Sequence, residues 1–296
     1  MLFSRISRRH LLCWGALFLA GCSSQTAPPT PANFPRDGAG RAVNLPTPAS
    51  RVIALGPGAV ETVWALGAGK KLVGRDDYAD FPPETKKVEV AGNFQGPNIE
   101  KCIALRPDLV IVQGEGIELS RADEWQAKIG APVAVIGATT VGGVREEIEK
   151  IAAWLDASPE KLKNATAHFH ENAHFWNVSV FIEIGRSPLY TAGQNTLVGD
   201  VVSRNGFQNI ASVRGYQAYN IENLLAKPPR AYLVPTKKTK AQTLAELRAH
   251  PTLSKLEAVK KGRVVVVDPD LILRPGPRLR DGMSKLYRES RILAGK

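Results

Sequence analysis

Cysteine is scarce in this chain of 296 residues, with only Cys13, Cys22 and Cys102 present, too few for the disulfide framework of a small secreted scaffold. Long apolar runs are also missing near the amino terminus. The stretch 11–20 follows Arg5, Arg8 and Arg9, contains no acid and closes on Ala20 and Gly21. About 20 apolar residues are needed to cross a bilayer, so this is an export signal and not a spanning helix. No basic tract with interleaved aromatics is present, which excludes the usual nucleic-acid surface. The formal charge is +11, and removal of the three leader arginines brings it to +8, favouring anionic surfaces or anionic ligands without specifying either.

What the chain does have is a repeat. Asn98-Ile99-Glu100 leads through Ala104 and Pro107 into the apolar run 108–112, and Asn220-Ile221-Glu222 leads through Ala226 and Pro229 into 231–234. Each copy reads as a short helix with a glutamate in its first turn. It stops before a proline, which cannot continue a helix, and feeds a buried strand. A repeat at this spacing predicts two similar lobes, and 296 residues exceed what one ordinary core covers.

The remaining apolar segments alternate. Runs 51–55, 71–74, 108–112 and 132–136 read as strands, with helical patterns at 59–66 and 99–105. The second half repeats the scheme with strands at 178–184, 231–234 and 263–267 and helices at 196–205, 221–225 and 244–259. The predicted fold is therefore α/β: two similar lobes, each a mainly parallel sheet flanked by helices, with a ligand cleft between them. Lobes are expected at 34–157 and 177–296. Between them Ser158 offers an N-cap and Pro159 a first helical residue, and Leu162, Ala165, Phe169, Ala173 and Trp176 share one face. This predicts a single long connecting helix over 158–176, about 27 Å long, stiff enough to limit hinge motion.

Two patterns compete for a catalytic reading. His170-Glu171-Asn172-Ala173-His174 fits the His-Glu-x-x-His arrangement of zinc peptidases, but His168 points away from His170 on a helix and no third-ligand motif follows. A surface pair open to adventitious metal is favoured, and a peptidase would instead lose activity with a chelator or with Glu171→Gln. Gly67-Ala68-Gly69-Lys70-Lys71 lacks the Ser or Thr of a phosphate loop and reads as a helix C-cap.

Leu19-Ala20-Gly21-Cys22 resembles the cleavage box of bacterial lipoproteins, which implies a signal peptide at 1–21 and acylation of Cys22. The Ser-, Thr- and Pro-rich stretch 22–33 then serves as a tether. Cys102 alone remains in the mature domain, so no internal disulfide forms, and its apolar surroundings read as a buried position. Ser7-Arg8-Arg9-His10-Leu11-Leu12 resembles a twin-arginine export signal as well.

From Phe34 onward a series of motifs falls in one order: Asp37-Gly38-Ala39-Gly40-Arg41, Arg51-Val52-Ile53-Ala54-Leu55, Tyr78-Ala79-Asp80-Phe81-Pro82, Gly92-Asn93-Phe94, Asn98-Ile99-Glu100, Leu105-Arg106-Pro107-Asp108 and Arg274-Pro275-Gly276-Pro277-Arg278. This order resembles the helical-backbone class of periplasmic substrate-binding proteins of ABC importers, the cluster that serves cobalamin, ferric siderophores and haem. The resemblance implies a lipid-anchored, monomeric protein on the extracytoplasmic face of the membrane, without catalysis or cofactor, whose partner is a permease dimer with its ATPase subunits. It also implies that Glu100 and Glu222 meet permease arginines and that Tyr78, Phe94, Tyr216 and Arg274 line the cleft. The first expected ligand is a corrinoid, held by aromatic walls. Phe94, Tyr216 and Leu271 stand where the family's cobalamin-binding member has tryptophans. The alternatives are a ferric siderophore met by Arg75, Arg214 and Arg274, or haem with Tyr78 as iron ligand. A manganese or zinc ligand set is poorly supplied by five histidines, of which one lies in the signal and three in the connector.

Overall fold

The computed structural model describes residues 34–93, 95–169 and 176–296. The signal, Cys22, the tether, Phe94 and the His170-to-His174 motif lie outside the described residues.

Aliphatic and β-branched clusters form the strands of the first half: β1 (Val52–Leu55), β2 (Leu72–Asp76), β3 (Val90–Asn93), β4 (Gly96–Pro97), β5 (Leu109–Gln113) and β6 (Val133–Ile136). With them run α1 (Pro57–Ala65), α2 (Ile99–Leu105), α3 (Leu119–Ile129) and α4 (Val141–Leu155). The sheet order is β4-β3-β2-β1-β5-β6, parallel except for the β3/β4 pair. A short helix, α5 (Pro159–Ala165), leads to the second half. There the strands are β7 (Val178–Arg186), β8 (Leu189–Ala192), β9 (Phe207–Asn209), β10 (Tyr216–Ala218), β11 (Ala231–Pro235) and β12 (Val264–Val267). The helices are α6 (Leu197–Arg204), α7 (Ile221–Ala226), α8 (Lys240–Ala249), α9 (Glu257–Lys260) and α10 (Leu279–Ala294). Their order is β10-β8-β7-β11-β12, with β9 also on β7, and β8 and β10 run antiparallel to their neighbours.

Successive side chains of a strand point to opposite faces, and both faces of each sheet are buried. Val52 and Ala54 enter one core with Val60, Val63, Ile148, Ile151 and Trp154, whereas Ile53 and Leu55 enter another with Cys102, Trp125 and Ile129. In the second half Ala231 and Leu233 divide from Tyr232 and Val234 in the same way. The core holding Val52 and Ala54 continues without a break into Val178, Val180, Ile182, Val198, Val201 and Leu286. Each fully buried aliphatic side chain adds about 1.5–3 kcal/mol before entropy is counted. The inner faces of the two sheets therefore share one apolar core.

The repeat occupies equivalent places. Helix α2 feeds β5, which lies between β1 and β6, and α7 feeds β11, which lies between β7 and β12. Asn98 and Asn220 cap the two helices, accepting from Lys101 N at 3.1 Å and Glu222 N at 2.7 Å. Gly67 adopts a φ of 77° just past α1, and Ala68 N donates to Val63 O at 3.0 Å, the geometry of a helix C-terminus. Cys102 is buried, its thiol pushed up to about 11 by desolvation, with Sγ 3.5 Å from Ala91 O. No described helix is long and apolar enough to cross a membrane.

Two expectations need correction. The connecting helix does not continue from Ser158 to Trp176: α5 ends at Ala165 after seven residues, and 166–169 form a turn, with His168 at a φ of 66°. Asn164, Thr166 and His168 are weak helix formers, and tertiary burial holds the segment instead. Ala165 and Phe169 are buried in the shared core and Trp176 packs on it, so the apolar stripe predicted the contact and not the helix. The helical candidate 244–259 is also split. Pro251 removes a donor and turns His250 extended (φ −74°, ψ 128°), leaving α8, a 3₁₀ turn at Leu253–Lys255 and α9.

One buried acid on α4 makes folding sensitive to pH. Glu147 Oε1 accepts from Gly137 N at 2.6 Å, Oε2 is buried with no partner, and burial pushes the carboxyl from 4.5 up to about 7. A carboxyl raised on folding holds its proton in the folded chain when the unfolded chain has lost it. Its contribution is complete below pH 4.5 and is lost as pH rises through about 7. Urea unfolding across that interval is expected to show a falling stability of up to about 3 kcal/mol, and Glu147→Gln, which does not ionise, flattens that part of the profile. An equal slope in the variant would assign the pH dependence elsewhere.

Candidate functional site

Parallel strands leave their carboxyl ends facing one way, and loops there have room to diverge. Strands β1, β2, β3 and β5 end at Leu55, Asp76, Asn93 and Gln113, and a cavity of about 810 Å³ lies over these ends. Tyr78, Trp125, Gln113, Glu115 and Arg121 line it from the first lobe and Arg274 from the second. Tyr78 follows β2 in a loop and is 60% exposed, whereas Trp125 is 8% exposed on α3 with the Arg121 guanidinium 5.0 Å from its ring.

Buried polar groups shape this floor. The Asp76 carboxylate accepts from Gly56 N and from Ala79 N, which places Gly56 before α1 and ties down the Tyr78 loop; burial pushes its pKa up. Gln113 Oε1 accepts from Ala59 N at 3.0 Å, and its Nε2 donates across the lobes to Pro275 O at 2.8 Å. The backbones meet at this point. A methyl at Gly58 would run into the Pro275 carbonyl, and one at Gly276 would lie 3.0 Å from Gly58 Cα.

Beside that contact sits a cross-lobe charge cluster. Glu61 on α1 is 3% exposed and receives Arg278 Nε at 2.9 Å and Nη2 at 2.6 Å. Arg274 Nη1 donates to Asp80 Oδ1 at 2.7 Å and reaches Glu61 Oε1 at 3.3 Å, while its Nη2 lies 3.0 Å from Asp270 Oδ1. Lys237 meets the other oxygen of Asp270 at 2.8 Å. The hydrogen bond from Arg274 holds the Asp80 carboxyl below its ordinary range. Phe81 lies under the Arg278 guanidinium, 4.0 Å from its ring centre.

The cleft residues named from the sequence divide. Tyr78 and Arg274 line the cavity. Tyr216 does not, but it lies near enough to Glu115 for that charge to add to burial in pushing the phenol up to about 12. Arg75 donates to the Val88 and Asp76 carbonyls at 3.2 and 2.7 Å. Glu100 and Glu222 are exposed in the first turns of α2 and α7, apart from the cavity. Trp125, Arg121 and Glu115 were missed, although Ala122, Trp125 and Ile129 at helical spacing mark the buried face of α3. Among the described residues no group of three or more His, Cys, Asp or Glu is placed to hold a metal ion.

Residues 52–271 match the sequence profile of the family described as periplasmic binding protein. A vitamin B12-binding protein of Pectobacterium atrosepticum is 31% identical over 245 residues, covering 77% of this chain and 84% of that protein. The crystal structure of a periplasmic vitamin B12 binding protein of Vibrio cholerae superposes with a TM-score of 0.68 at 26% identity, covering 84% of this chain and 99% of that one. A periplasmic heme binding protein from Pseudomonas aeruginosa gives 0.69 at 27% identity, over 84% and 94% of the two chains.

Removing Arg278 would leave Glu61 buried with its more distant partner alone. Arg278→Ala is expected to lower stability by about 3 kcal/mol in urea unfolding, because a half-broken buried pair strands a charge. A loss under about 1 kcal/mol would show that solvent reaches Glu61.

Proposed function

Because the chain belongs to the periplasmic binding protein family, within the cluster that serves cobalamin, ferric siderophores and haem, we propose that it captures a corrinoid and delivers it to an ABC importer. Proteins of this family bind small-molecule ligands in the periplasm and work with ABC permeases.

The cavity carries the reading. Its 810 Å³ has aromatic faces in Tyr78 and Trp125 and side-chain amides in Asn93, Gln95 and Gln113. Rigid aromatic faces cover a flat macrocycle at low entropic cost, and amides, which both donate and accept, match the amide arms at a corrin's edge. The relative named as vitamin B12-binding points the same way. Tyr216, near Glu115, is the second lobe's aromatic in this reading, and Phe94, expected from the first lobe, lies outside the described residues. Arg274 borders the ligand while held by carboxylates.

Cys22 carries the lipid after removal of 1–21, the stretch 22–33 tethers a monomeric domain, and the lobes are 34–157 and 177–296. Glu100 and Glu222, in equivalent turns of the duplicated sheet, dock on arginines of the permease dimer that its ATPases drive. A two-fold partner needs two equivalent contacts, and carboxylates meet arginine bidentately. The ligand is cargo, and we assign no cofactor and no catalytic role. Haem or a ferric siderophore is the second reading, favoured by Arg121 in the cavity, where a carboxylate-bearing ligand would find a cation.

Calorimetric titration with cyanocobalamin, haemin and a ferric hydroxamate tests the ligand. Nanomolar capture, about −12 kcal/mol, is expected for cyanocobalamin, with at least about tenfold weakening in Tyr78→Ala. Tight binding of an iron ligand with no cobalamin heat would move the chemistry to iron uptake. For delivery, Glu100→Lys with Glu222→Lys is expected to abolish uptake in cells while affinity stays intact. Retained uptake would remove these glutamates from the docking surface.

A further inference from the structure

Arg274 is the second lobe's contribution to the cavity, yet both of its terminal nitrogens already face carboxylates. Nη1 lies 2.7 Å from Asp80 and 3.3 Å from Glu61, and Nη2 lies 3.0 Å from Asp270. With Arg278 and Lys237 the cluster sets three cations against three carboxylates, and so presents no net formal charge. Glu61 and Asp80 come from one lobe, and Lys237, Asp270, Arg274 and Arg278 from the other. The rest of the cavity wall carries Asp76, Glu115 and Glu118 against Arg121. A chain with a formal charge of +11 thus lines its cavity with more carboxylates than free cations.

We propose that Asp80 and Asp270 set the charge selectivity of the cleft by holding Arg274 between them, so that the site accepts neutral, amide-rich ligands and rejects polycarboxylates. The inference rests on the reading of this cavity as the ligand site and names the residues that decide among ligands of similar shape. A carboxylate on the ligand would have to displace Asp80 or Asp270 from the guanidinium and would also meet Asp76, Glu115 and Glu118. Like charges brought together in a cleft discriminate strongly, whereas a neutral amide meets neither cost. Asp80 is the most exposed of the three carboxylates, with 49% of its side chain in solvent, and Arg274 retains only 16%, so the arginine is held in place from the solvent side.

Two matched ligand pairs isolate charge from shape: cyanocobalamin with the derivative in which one peripheral amide is hydrolysed to a carboxylate, and haemin with its dimethyl ester. The wild-type chain is expected to prefer the neutral member of whichever pair it binds by about tenfold or more. Asp80→Asn with Asp270→Asn removes two of the three negative charges that face the Arg274 guanidinium, and the preference is expected to fall about tenfold. Adding Arg274→Ala should restore much of it. An unmoved ratio in the double variant, or an equal fall with Arg274→Ala present, overturns the charge filter. Asp80→Asn alone, at the exposed end of the cluster, should shift the ratio about threefold and is read if the double variant loses its thermal transition. Failure of both neutral ligands to bind wild type overturns the macrocycle reading together with the filter, whereas an unmoved ratio with intact binding overturns the filter alone.

Discussion

The structure depends on one apolar core that belongs to both sheets. Inner-face residues of β1 and β5, of α1 and α4, of β7 and β11, and of α6 and α10 form a single contiguous cluster. Because packed interiors resist deformation, lobes joined this way do not swing apart as two bodies on a flexible strand would. The strand ends of the first sheet, fixed by the core beneath them, hold Asp76, Asn93 and Gln113 around the cavity. The close approach of Gly58 to Pro275, and the bridge from Gln113 to the Pro275 carbonyl, extend the same constraint to the rim.

Charge is arranged on that scaffold at two scales. Over the whole chain basic residues dominate. At the cleft, carboxylates buried or half-buried against guanidinium groups cancel the excess locally. Glu61, almost wholly buried, meets Arg278 through two bonds, and such pairs specify geometry more than they stabilise. These residues lock the second lobe's loop to α1. Stability, lobe geometry and the proposed charge filter share the side chains of Glu61, Asp80, Asp270, Arg274 and Arg278.

Duplication divides the work differently. The α2–β5 and α7–β11 units occupy equivalent slots in their sheets and expose one glutamate each, while the cavity is built mainly by the first lobe. Family membership sets the periplasmic binding role, and the cavity's aromatic and amide lining argues the ligand class. The ligand reading rests on positions that the chain brings together only after folding.

Much of this could be read directly from residue order. The repeat announced two lobes; aliphatic runs located β1, β5, β6, β11 and β12 to within a residue or two; Asn98, Thr196 and Asn220 marked helix starts; and Gly67 marked a stop. These signals are local: strands buried on both faces read as unbroken apolar runs, and caps act over one turn. The sequence stretch from Tyr78 to Pro82 looked like one ligand-binding motif, but folding sends Tyr78 to the cavity, Asp80 to Arg274 and Phe81 beneath Arg278. The connector's apolar stripe foretold burial, and only tertiary packing decided that it bends after Ala165. The pairing of Glu61 with Arg278 spans 217 positions. Periodicity carries no information over that distance, because such pairs are chosen by the shape of the folded core and not by neighbours along the chain.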